Sequence, residues 1–375
     1  MSAGIYLHIP FCKSRCSYCD FATDVYRSDD GVERYVAALC NEVAAFGPPA
    51  DIDGIADTIY FGGGTPSLLI PDQLGRILAA VRDKFAIRPN AEITMEMNPA
   101  TVTIESLRAY RDLGVNRASF GVQTFDDRAL KLLARGHDAA DARNTFRLLK
   151  DAGFDNVSFD LIAGLPGQTL ADWERNLGEA TALGPEHISL YLLEIHQGTP
   201  LAEQVRTGRQ PVPDDELAAE MYEVMLDKLE AAGYEQYEIS NFSRPGHESR
   251  HNSKYWTLDP VFGFGVSAHS FDGRQRYANE RDTSKYVDMI DVTGTAEVMR
   301  ENTDIASEYA FLGLRLEGGI DLADYQRRFG VDLLTAKADG LAQVSEAGLI
   351  EIVDGRLRLT RKGKLFSNEV FAVFV

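Results

Sequence analysis

Residues 8–21 of this chain, HIPFCKSRCSYCDF, bring three cysteines close together as Cys12, Cys16 and Cys19, in the spacing Cys-x3-Cys-x2-Cys. The apolar residues 5–9 that lead into them have the pattern of a buried β-strand. Three thiolates on one short loop can hold three irons of a [4Fe–4S] cluster. The fourth iron then has no protein ligand and is open to another molecule. The sequence therefore predicts an iron–sulfur site on the loop that follows the first strand.

A disulfide and a zinc site are the other uses that three clustered cysteines allow. A disulfide would leave one of them unpaired, and four cysteines in 375 residues are typical of a reducing compartment. Zinc prefers four ligands, usually in two spaced pairs, and His8 is the one near candidate for a fourth. Cys40 lies in a helical pattern and is expected to be a core residue. The spacing favours the cluster over both alternatives.

The composition indicates a large acidic protein. A length of 375 residues predicts two domains, and a hydrophobic fraction of 45% is enough for a large core. A net charge of −19 argues against nucleic acid as a partner, because phosphate binding needs a basic surface. The chain has no run of about 18 apolar residues, so no membrane span is expected. Without a basic and apolar leader, a cytoplasmic location is expected.

Short apolar runs alternate with amphipathic helical patterns over the first half of the chain. This alternation predicts a parallel sheet with helices outside it, and six units are too few for an eight-fold barrel. In such folds the functional residues lie at the carboxyl ends of the strands. The predicted strands are residues 5–9, 58–61, 92–97, 117–121, 157–162 and 187–193, and the predicted helices are residues 32–46, 71–86, 103–113, 138–152 and 169–183.

After residue 193 the alternation stops. The patterns predict a helix, a strand-like run and a polar loop, then a glycine-rich stretch and a connector, and finally helices that end in a β-hairpin around Asp354-Gly355. Helices followed by a hairpin are the outline of a winged-helix-like module. We predict one domain over residues 1–294 and a smaller, mostly helical domain over residues 295–375. The predicted elements are a helix at 214–232, a strand at 234–240, a loop at 241–254, helices from about 301, and hairpin strands at 349–353 and 356–360.

Polar or glycine residues stand where several predicted strands end. Gly62, Gly63 and Gly64 let backbone groups approach a ligand, although a tight turn would also explain them. Glu96 is a carboxylate in an otherwise apolar strand, which is costly unless it is paired. Gln123 and Asp160 can each be a structural polar residue or a ligand-binding one. Because all of them belong to one edge of one sheet, a pocket is favoured there.

Residues 250–256 combine a histidine, cations and aromatics. His251 with Tyr255 and Trp256 allows two interpretations, a loop anchored to the core or a macrocycle site. In the second, the histidine would be an axial iron ligand, the aromatics would cover the ring, and Arg250 and Lys254 would meet carboxylates. The pattern alone favours the structural interpretation.

The cysteine loop resembles the CxxxCxxC signature of radical S-adenosylmethionine (SAM) proteins. Other motifs are similar to the branch of that superfamily around oxygen-independent coproporphyrinogen III dehydrogenase, HemN, and the likeness runs from Tyr6 to the C-terminus. The resemblance implies a partial (β/α)6 barrel with a [4Fe–4S] cluster and SAM. The motifs are YLHIPF at 6–11, GGGTP at 62–66, GVQTF at 121–125 and DLIAGLP at 160–166.

Within that branch the chain looks like the HemW-type group of radical SAM heme chaperones. The dehydrogenases carry a fourth cysteine two residues after the third, where this chain has Phe21, and a longer N-terminal extension. The segments HNSKYW at 251–256 and GFGVSAH at 263–269 match the HemW group instead. This resemblance implies that His251 binds heme.

The resemblance also assigns roles residue by residue. Cys12, Cys16 and Cys19 would ligate the cluster, and SAM would chelate the open iron through its amino and carboxylate groups. Glu194 stands where the dehydrogenases have a small residue, which puts the substrate side in doubt. The positions that match SAM-contacting residues are Tyr6, Tyr18, Gly63, Gly64, Thr65, Glu96, Gln123, Arg135 and Asp160.

The resemblance implies a heme chaperone that transfers heme to apo-hemoproteins, such as respiratory-chain heme enzymes, without coproporphyrinogen dehydrogenase activity. A homodimer is a further expectation. Two alternatives stay open: radical decarboxylation of coproporphyrinogen III, and a radical SAM enzyme with another substrate whose HNxxYW segment is structural.

Overall fold

A twelve-stranded sheet dominates the computed structural model, which describes residues 2–49, 52 and 54–375. Two smaller sheets and the helices surround it. The strands in this part of the chain are β1 Ala3–Ile9, β2 Phe11–Cys12, β3 Asp24–Val25, β4 Ile55–Gly63, β5 Ala86–Met97, β6 Arg117–Gln123, β7 Val157–Ala163, β8 His187–Leu192, β9 Glu235–Gln236, β10 Asn241–Ser243, β11 Val261–Phe264, β12 His269–Phe271, β13 Gln275–Asn279, β14 Glu297–Asn302, β15 Ile320–Asp321, β16 Ile350–Val353 and β17 Arg356–Leu359.

Most of the helices begin at polar residues suited to capping. Thr103, Asp138 and Thr169 each accept a hydrogen bond from a backbone N–H of the first helical turn. The α-helices are α1 Asp29–Ala45, α2 Pro71–Lys84, α3 Ile104–Asp112, α4 Asp127–Leu132, α5 Ala139–Asp151, α6 Leu170–Leu183, α7 Pro200–Arg206, α8 Asp215–Ala231, α9 Arg250–Thr257, α10 Thr283–Thr293, α11 Ile305–Gly313, α12 Leu322–Phe329, α13 Leu333–Ala336, α14 Ala338–Glu346, α15 Arg361–Leu365 and α16 Ser367–Phe371.

Six parallel strands form the centre of the large sheet in chain order, β1, β4, β5, β6, β7 and β8, and helices connect them. The predicted alternation of six strands and helices is therefore confirmed. Strand β11 adds a parallel neighbour on the free side of β1, and β12, β13 and β14 extend that edge antiparallel. At the other edge β10 and β9 pair antiparallel beyond β8. None of the helices in the described residues is long and apolar enough to cross a membrane.

The two faces of the six central strands differ in polarity. One set of alternate residues, such as Ile5 and Leu7 of β1 and Phe120 of β6, joins the main core. The residues between them are mostly polar and line the inner face of the barrel. In order of strands they are Tyr6 and His8; Thr58 and Tyr60; Glu92, Thr94 and Glu96; Arg117 and Ser119; Ser158 and Asp160; and His187 and Ser189.

The prediction of a loop over residues 241–254 is wrong. Strand β10 occupies its start and helix α9 begins at Arg250, while the strand predicted at 234–240 is reduced to the two residues of β9. The Ser249 side chain caps α9. The Glu92 carboxylate, far away in sequence, also accepts the N–H groups of Arg250 and His251 at 3.1 and 3.0 Å. Tertiary capping thus forms a helix that local propensity does not predict.

A second core follows the large sheet. It gathers apolar residues between Ala310 and Phe374 around the predicted hairpin, now β16 and β17, and includes Ile239 from the first part of the chain. Residues 297–302 belong to the large sheet as β14. The domain boundary between residues 294 and 295 stays a prediction.

A buried carboxylate joins α1 to the far edge of the sheet. Glu42 Oε2 accepts the Gly265 N–H at 2.7 Å and the Tyr286 hydroxyl at 2.6 Å, and Oε1 accepts Asn279 Nδ2 at 2.6 Å. Burial raises the pKa of Glu42 to about 7, and its hydrogen-bond donors oppose that rise. Between the unfolded and the folded pKa, this carboxyl group is therefore protonated in the folded protein and loses its proton when the chain unfolds.

Stability should depend on pH through Glu42. The unfolded carboxyl titrates near ~4.3, so its stabilising contribution is complete below that value and is lost as pH rises through about 7. Between pH 5 and 8 the wild type should lose about 2 kcal/mol of unfolding free energy relative to Glu42→Gln, measured by urea unfolding. Glu33→Gln, on the same helix but more exposed, should follow the wild type. Parallel pH curves for wild type and Glu42→Gln would contradict this role.

Candidate cofactor site

The cysteine loop, which follows the carboxyl end of β1, is held by hydrogen bonds on two sides. On one side the Ser17 N–H donates to Leu133 O at 2.9 Å, and Ser17 Oγ donates to Leu132 O at 3.0 Å, beside the end of α4. On the other, His8 Nε2 lies 2.8 Å from Ala22 O. The loop therefore has a shape determined by the barrel rather than by a bound group alone.

The three thiols on this loop are partly buried. Burial raises the pKa of Cys12 and of Cys19 above the usual value for a thiol. Within the described residues, no three His, Cys, Asp or Glu side chains converge on the position of a single metal ion. A [4Fe–4S] cluster takes each thiolate on a different iron, so three thiols spaced along one loop suit it.

Hydrogen bonds through Asn98 connect two of the cysteines. Thr65 Oγ1 donates to Cys12 Sγ at 3.5 Å and accepts from Asn98 Nδ2 at 2.7 Å. Arg135 Nη2 donates to Asn98 Oδ1 at 2.7 Å, and Nη1 donates to Cys16 Sγ at 3.5 Å. A cation and a hydroxyl are thus aimed at the sulfurs, where they would stabilise thiolate charge.

The three glycines at the end of β4 lie where side chains would not fit. A Cβ on Gly64 would lie 2.6 Å from Pro10 O, and one on Gly62 would lie 2.9 Å from the Tyr6 ring. Gly63 has φ +111, and a Cβ there would lie 2.7 Å from the His8 ring. The glycines let this turn pack directly against β1 and the start of the cysteine loop. Their close packing is consistent with both sequence-based interpretations, a tight turn and a close approach of the backbone to a ligand.

Glu96 lies beside these glycines on the inner face of the barrel. Its Oε1 accepts the Tyr60 hydroxyl at 2.7 Å and its Oε2 accepts the Gly63 N–H at 3.1 Å. Burial raises the pKa of Glu96 to about 7, against the hydrogen bond from Tyr60. Tyr6 stands next to this pair, with its hydroxyl 3.1 Å from His8 Nδ1. A cationic group bound here would favour the charged carboxylate and lower that pKa.

Three other predicted residues lie at the same end of the barrel. Gln123 ends β6 in a left-handed conformation, φ 66, which is uncommon for a residue with a side chain and occurs at binding sites. Asp160 faces inward from β7; burial raises its pKa, and a hydrogen bond with Ser189 opposes that rise. Tyr18, within the cysteine loop, packs against a small apolar cluster that includes Ile162 of β7. The predicted SAM-contacting residues are therefore brought together with the cysteines.

His251 lies elsewhere, at the amino-terminal end of the barrel. Its Nδ1 is 2.8 Å from Thr58 Oγ1 and its Nε2 is 3.1 Å from the Tyr255 hydroxyl. Its Cε1 would be 3.2 Å from a Cβ on Gly4, near the start of β1. The side chain is 1% exposed, and burial lowers its pKa to about 3, so the imidazole is neutral at pH 7. The structure does not bring this residue to the cysteine loop.

Two residues of this site, Asn98 and Tyr60, were not predicted from the sequence. Asn98 follows Glu96 by two positions, so strand alternation places it on the same inner face and could have identified it. Tyr60 precedes Gly62 by two positions in the same way. What alternation does not reveal is the partner of each side chain, which lies on another strand.

Comparisons with known proteins agree with this arrangement. The family model of the radical SAM superfamily matches residues 6–180, and that of the HemN C-terminal domain matches residues 301–366. The heme chaperone HemW of Bacillus subtilis is 38% identical over 99% of this chain and 98% of its own length. The heme chaperone HemW of Escherichia coli is 32% identical over 99% and 98%.

A solved structure supports the fold. The coproporphyrinogen III oxidase HemN of Escherichia coli, described as a radical SAM enzyme, matches with a TM-score of 0.86 at 24% identity, covering 100% of this chain and 90% of that one. The predicted architecture of a radical SAM partial barrel is thereby confirmed. At this identity the match concerns the fold alone.

Replacing any one of Cys12, Cys16 and Cys19 by Ala should remove most of the iron and sulfide that the anaerobically reconstituted protein holds, about four of each per chain in the wild type. Cys40→Ala should retain both, because Cys40 packs against the core on α1. Iron and sulfide analysis measures this. An equal loss in the Cys40 variant would exclude the three-ligand assignment.

Asn98→Ala should leave the cluster in place and lower its reduction potential by tens of millivolts. Without Asn98, Thr65 and Arg135 are no longer held toward Cys12 and Cys16, and fewer donors to sulfur disfavour the reduced, more negative cluster. An EPR-monitored redox titration measures the potential. Asn116→Ala is the matched control, because in the described part of the chain the Asn116 side chain bonds to the backbone of Ile93 and Ala91, away from the cysteines. A potential unchanged in Asn98→Ala would contradict the bridging role.

Proposed function

Because this chain belongs to the HemW/HemN-like family of radical SAM proteins, we propose that it is a heme chaperone that binds heme and passes it to apo-hemoproteins. The observation that carries the proposal is the 38% identity, across 99% of the chain, to a protein named heme chaperone HemW. A family member of this kind uses a [4Fe–4S] cluster and SAM as its cofactors.

The cysteine loop is the proposed cluster site. Cys12, Cys16 and Cys19 would each hold one iron, and SAM would supply a chelating amino and carboxylate pair to the fourth. Thr65 and Arg135 donate toward the sulfurs. The residues proposed to surround SAM are Tyr6, Tyr18, Gly63, Gly64, Thr65, Glu96, Gln123, Arg135 and Asp160.

For the SAM end groups the chain offers complementary charges. Glu96 is a partner for the amino group or a ribose hydroxyl, and its carboxylate is already oriented by Tyr60 and the Gly63 N–H. Arg135 is the cation of the pocket and is oriented by Asn98 and by Gly121 O at 2.7 Å. These pre-oriented groups lose little freedom when the cofactor binds.

Heme is proposed to bind at α9 through His251. A neutral imidazole is the form that ligates iron, and burial keeps it neutral. Ligation through Nε2 would replace the hydroxyl of the half-buried Tyr255. Lys254 does not offer a free charge for a propionate, because it is 2.9 Å from Asp57 and buried. Arg250 is more exposed and is the cation left to meet one.

Apo-hemoproteins such as respiratory-chain heme enzymes are the proposed acceptors, a homodimer is the proposed assembly, and the cytoplasm is the proposed location. All three rest on the family. A pull-down of reconstituted, heme-loaded protein against an apo-cytochrome and sedimentation of the protein alone would test the first two.

Radical decarboxylation of coproporphyrinogen III is the second candidate, because the sequence motifs also resemble the HemN branch, whose solved structure shares this fold. Phe21, 67% exposed, stands where the sequence comparison expects a fourth cysteine in the dehydrogenases. An anaerobic assay with coproporphyrinogen III, SAM and a reductant separates the two functions. Formation of protoporphyrinogen IX would replace the chaperone proposal by the enzymatic one.

Hemin titration tests the heme site directly. The wild type should give a saturable Soret band, and His251→Ala should bind heme at least about tenfold more weakly or shift the band, since an axial nitrogen is lost. His187→Ala, another buried histidine with both ring nitrogens bonded, should behave as the wild type. Unchanged heme binding in His251→Ala would place the ligand elsewhere, with His247 and His269 the next residues to vary.

A further inference from the structure

Three aromatic rings form a cluster inside the barrel between α9 and the cofactor pocket. The centroids of His251 and Tyr60 are 5.0 Å apart with planes 25° from parallel. Tyr60 and Tyr6 are 6.2 Å apart at 24°, and Tyr6 and His251 are 6.5 Å apart at 28°. The three rings therefore contact one another in nearly parallel planes, and each ring limits where the other two can lie.

The two tyrosines connect this ring cluster to both parts of the proposed cofactor site. Tyr60 donates its hydroxyl to Glu96 at 2.7 Å. The Tyr6 hydroxyl lies 3.1 Å from His8 Nδ1, and His8 Nε2 lies 2.8 Å from Ala22 O in the cysteine loop. Displacement of the rings would therefore move the Glu96 carboxylate of the pocket and the His8 side chain that anchors the loop.

On the side of α9, His251 fixes the ring cluster. Its two ring nitrogens are engaged by Thr58 of β4 and Tyr255 of α9, and it is almost fully buried. The start of α9 is itself attached to β5, because the Glu92 carboxylate accepts the N–H groups of Arg250 and His251. The imidazole is thus held in place on both sides, and the Tyr60 ring packs against it.

We propose that His251 is a positioning residue of the SAM pocket, acting through the ring of Tyr60 on the carboxylate of Glu96. This inference rests on the proposed function only in taking SAM as the ligand of the pocket, and it does not require heme. It gives the HNxxYW segment a role at the opposite end of the barrel from the cysteines.

One consequence concerns heme. If iron took Nε2 of His251, it would replace the Tyr255 hydroxyl as the partner of that nitrogen, and the ring cluster would shift. Heme at α9 and SAM at the pocket would then change each other's affinity by the same factor, as linkage requires. Such coupling would let heme loading be sensed at the cluster without contact between the two groups.

A second buried histidine provides a matched control. His187 of β8 has Nδ1 at 2.7 Å from Ser158 Oγ and Nε2 at 2.8 Å from the Tyr237 hydroxyl, as His251 has Thr58 and Tyr255. Tyr237 also accepts the N–H of Ser249 at the start of α9. Among the described ring contacts His187 meets Tyr237 and neither Tyr6 nor Tyr60. Truncating His187 disturbs the same end of the barrel but leaves the ring cluster intact.

The experiment measures SAM affinity from the change that SAM causes in the EPR spectrum of the reduced, reconstituted cluster. Tyr60→Phe removes the hydroxyl on Glu96 and keeps the ring stack, and it should weaken SAM binding about tenfold. His251→Ala should weaken it similarly. The double variant should be no weaker than the weaker single variant, because both act through one contact. His187→Ala should match the wild type.

His251→Phe separates the ring from its nitrogens. It restores an aromatic face for Tyr60 but no iron ligand, so SAM affinity should return to within about threefold of the wild type while any heme binding through His251 stays lost. Circular dichroism and iron content show that each variant is folded and loaded; if His251→Ala is not, Tyr60→Phe and His251→Phe carry the test.

Wild-type SAM affinity in Tyr60→Phe, or additive losses in the double variant, would overturn the positioning role. Equal weakening by His187→Ala would also overturn it, since the effect would then be general. Hemin titration of the same variants tests the heme proposal independently. A SAM effect without a heme effect would keep this inference and reject His251 as the heme ligand, and the opposite pattern would do the reverse.

Discussion

The parallel register of the six central strands is the constraint on which the rest of the molecule depends. It pairs Gly4 with Thr58 and Thr58 with Glu92, and it aligns Tyr6 with Tyr60. Because side chains alternate between faces, a slip of one residue would turn this polar set toward the helices and the apolar set into the barrel. The apolar face packs the helices into the main core, and that packing fixes the inner face on which every proposed cofactor contact lies.

Much of this architecture could be predicted from the sequence, since it depends on local patterns. Apolar periodicity gave the six strands and their helices, and the spacing of Cys12, Cys16 and Cys19 gave the cofactor loop. Helix α9 could not be predicted in this way, because it has few strong helix formers and is held by Glu92 of β5. The antiparallel extension β12–β14 was likewise not predicted as strands, but as the end of a glycine-rich stretch and a connector, since its strands are short and β14 is exposed.

Side-chain partners were harder to predict than elements. Asn98 joins Thr65 to Arg135, residues on three separate segments, so no local pattern reveals the bridge. His251 was correctly singled out as unusual, but only the fold reveals that both of its nitrogens are occupied and that it supports Tyr60. These contacts join residues that are far apart in the chain.

Helix α9 also contacts the second core from its other side. The Arg315 guanidinium lies 4.3 Å from the Trp256 ring and 5.8 Å from that of Phe371, and Arg315 is 4.0 Å from the buried Glu238. The aromatic and histidine positions of one short helix thus face two different parts of the protein. An α9 that carries heme would be in contact with both the barrel and the C-terminal module.

The proposed site requires that the three cysteines leave one cluster iron open and that the pocket around Glu96 presents SAM to that iron. Electron–nuclear double resonance on the reduced cluster, with SAM carrying 15N in its amino group, tests this most directly. An amino group bound directly to iron should give a nitrogen coupling, and this coupling should be lost in Cys12→Ala together with the cluster. A reduced cluster in the presence of saturating labelled SAM that shows no such coupling would contradict it.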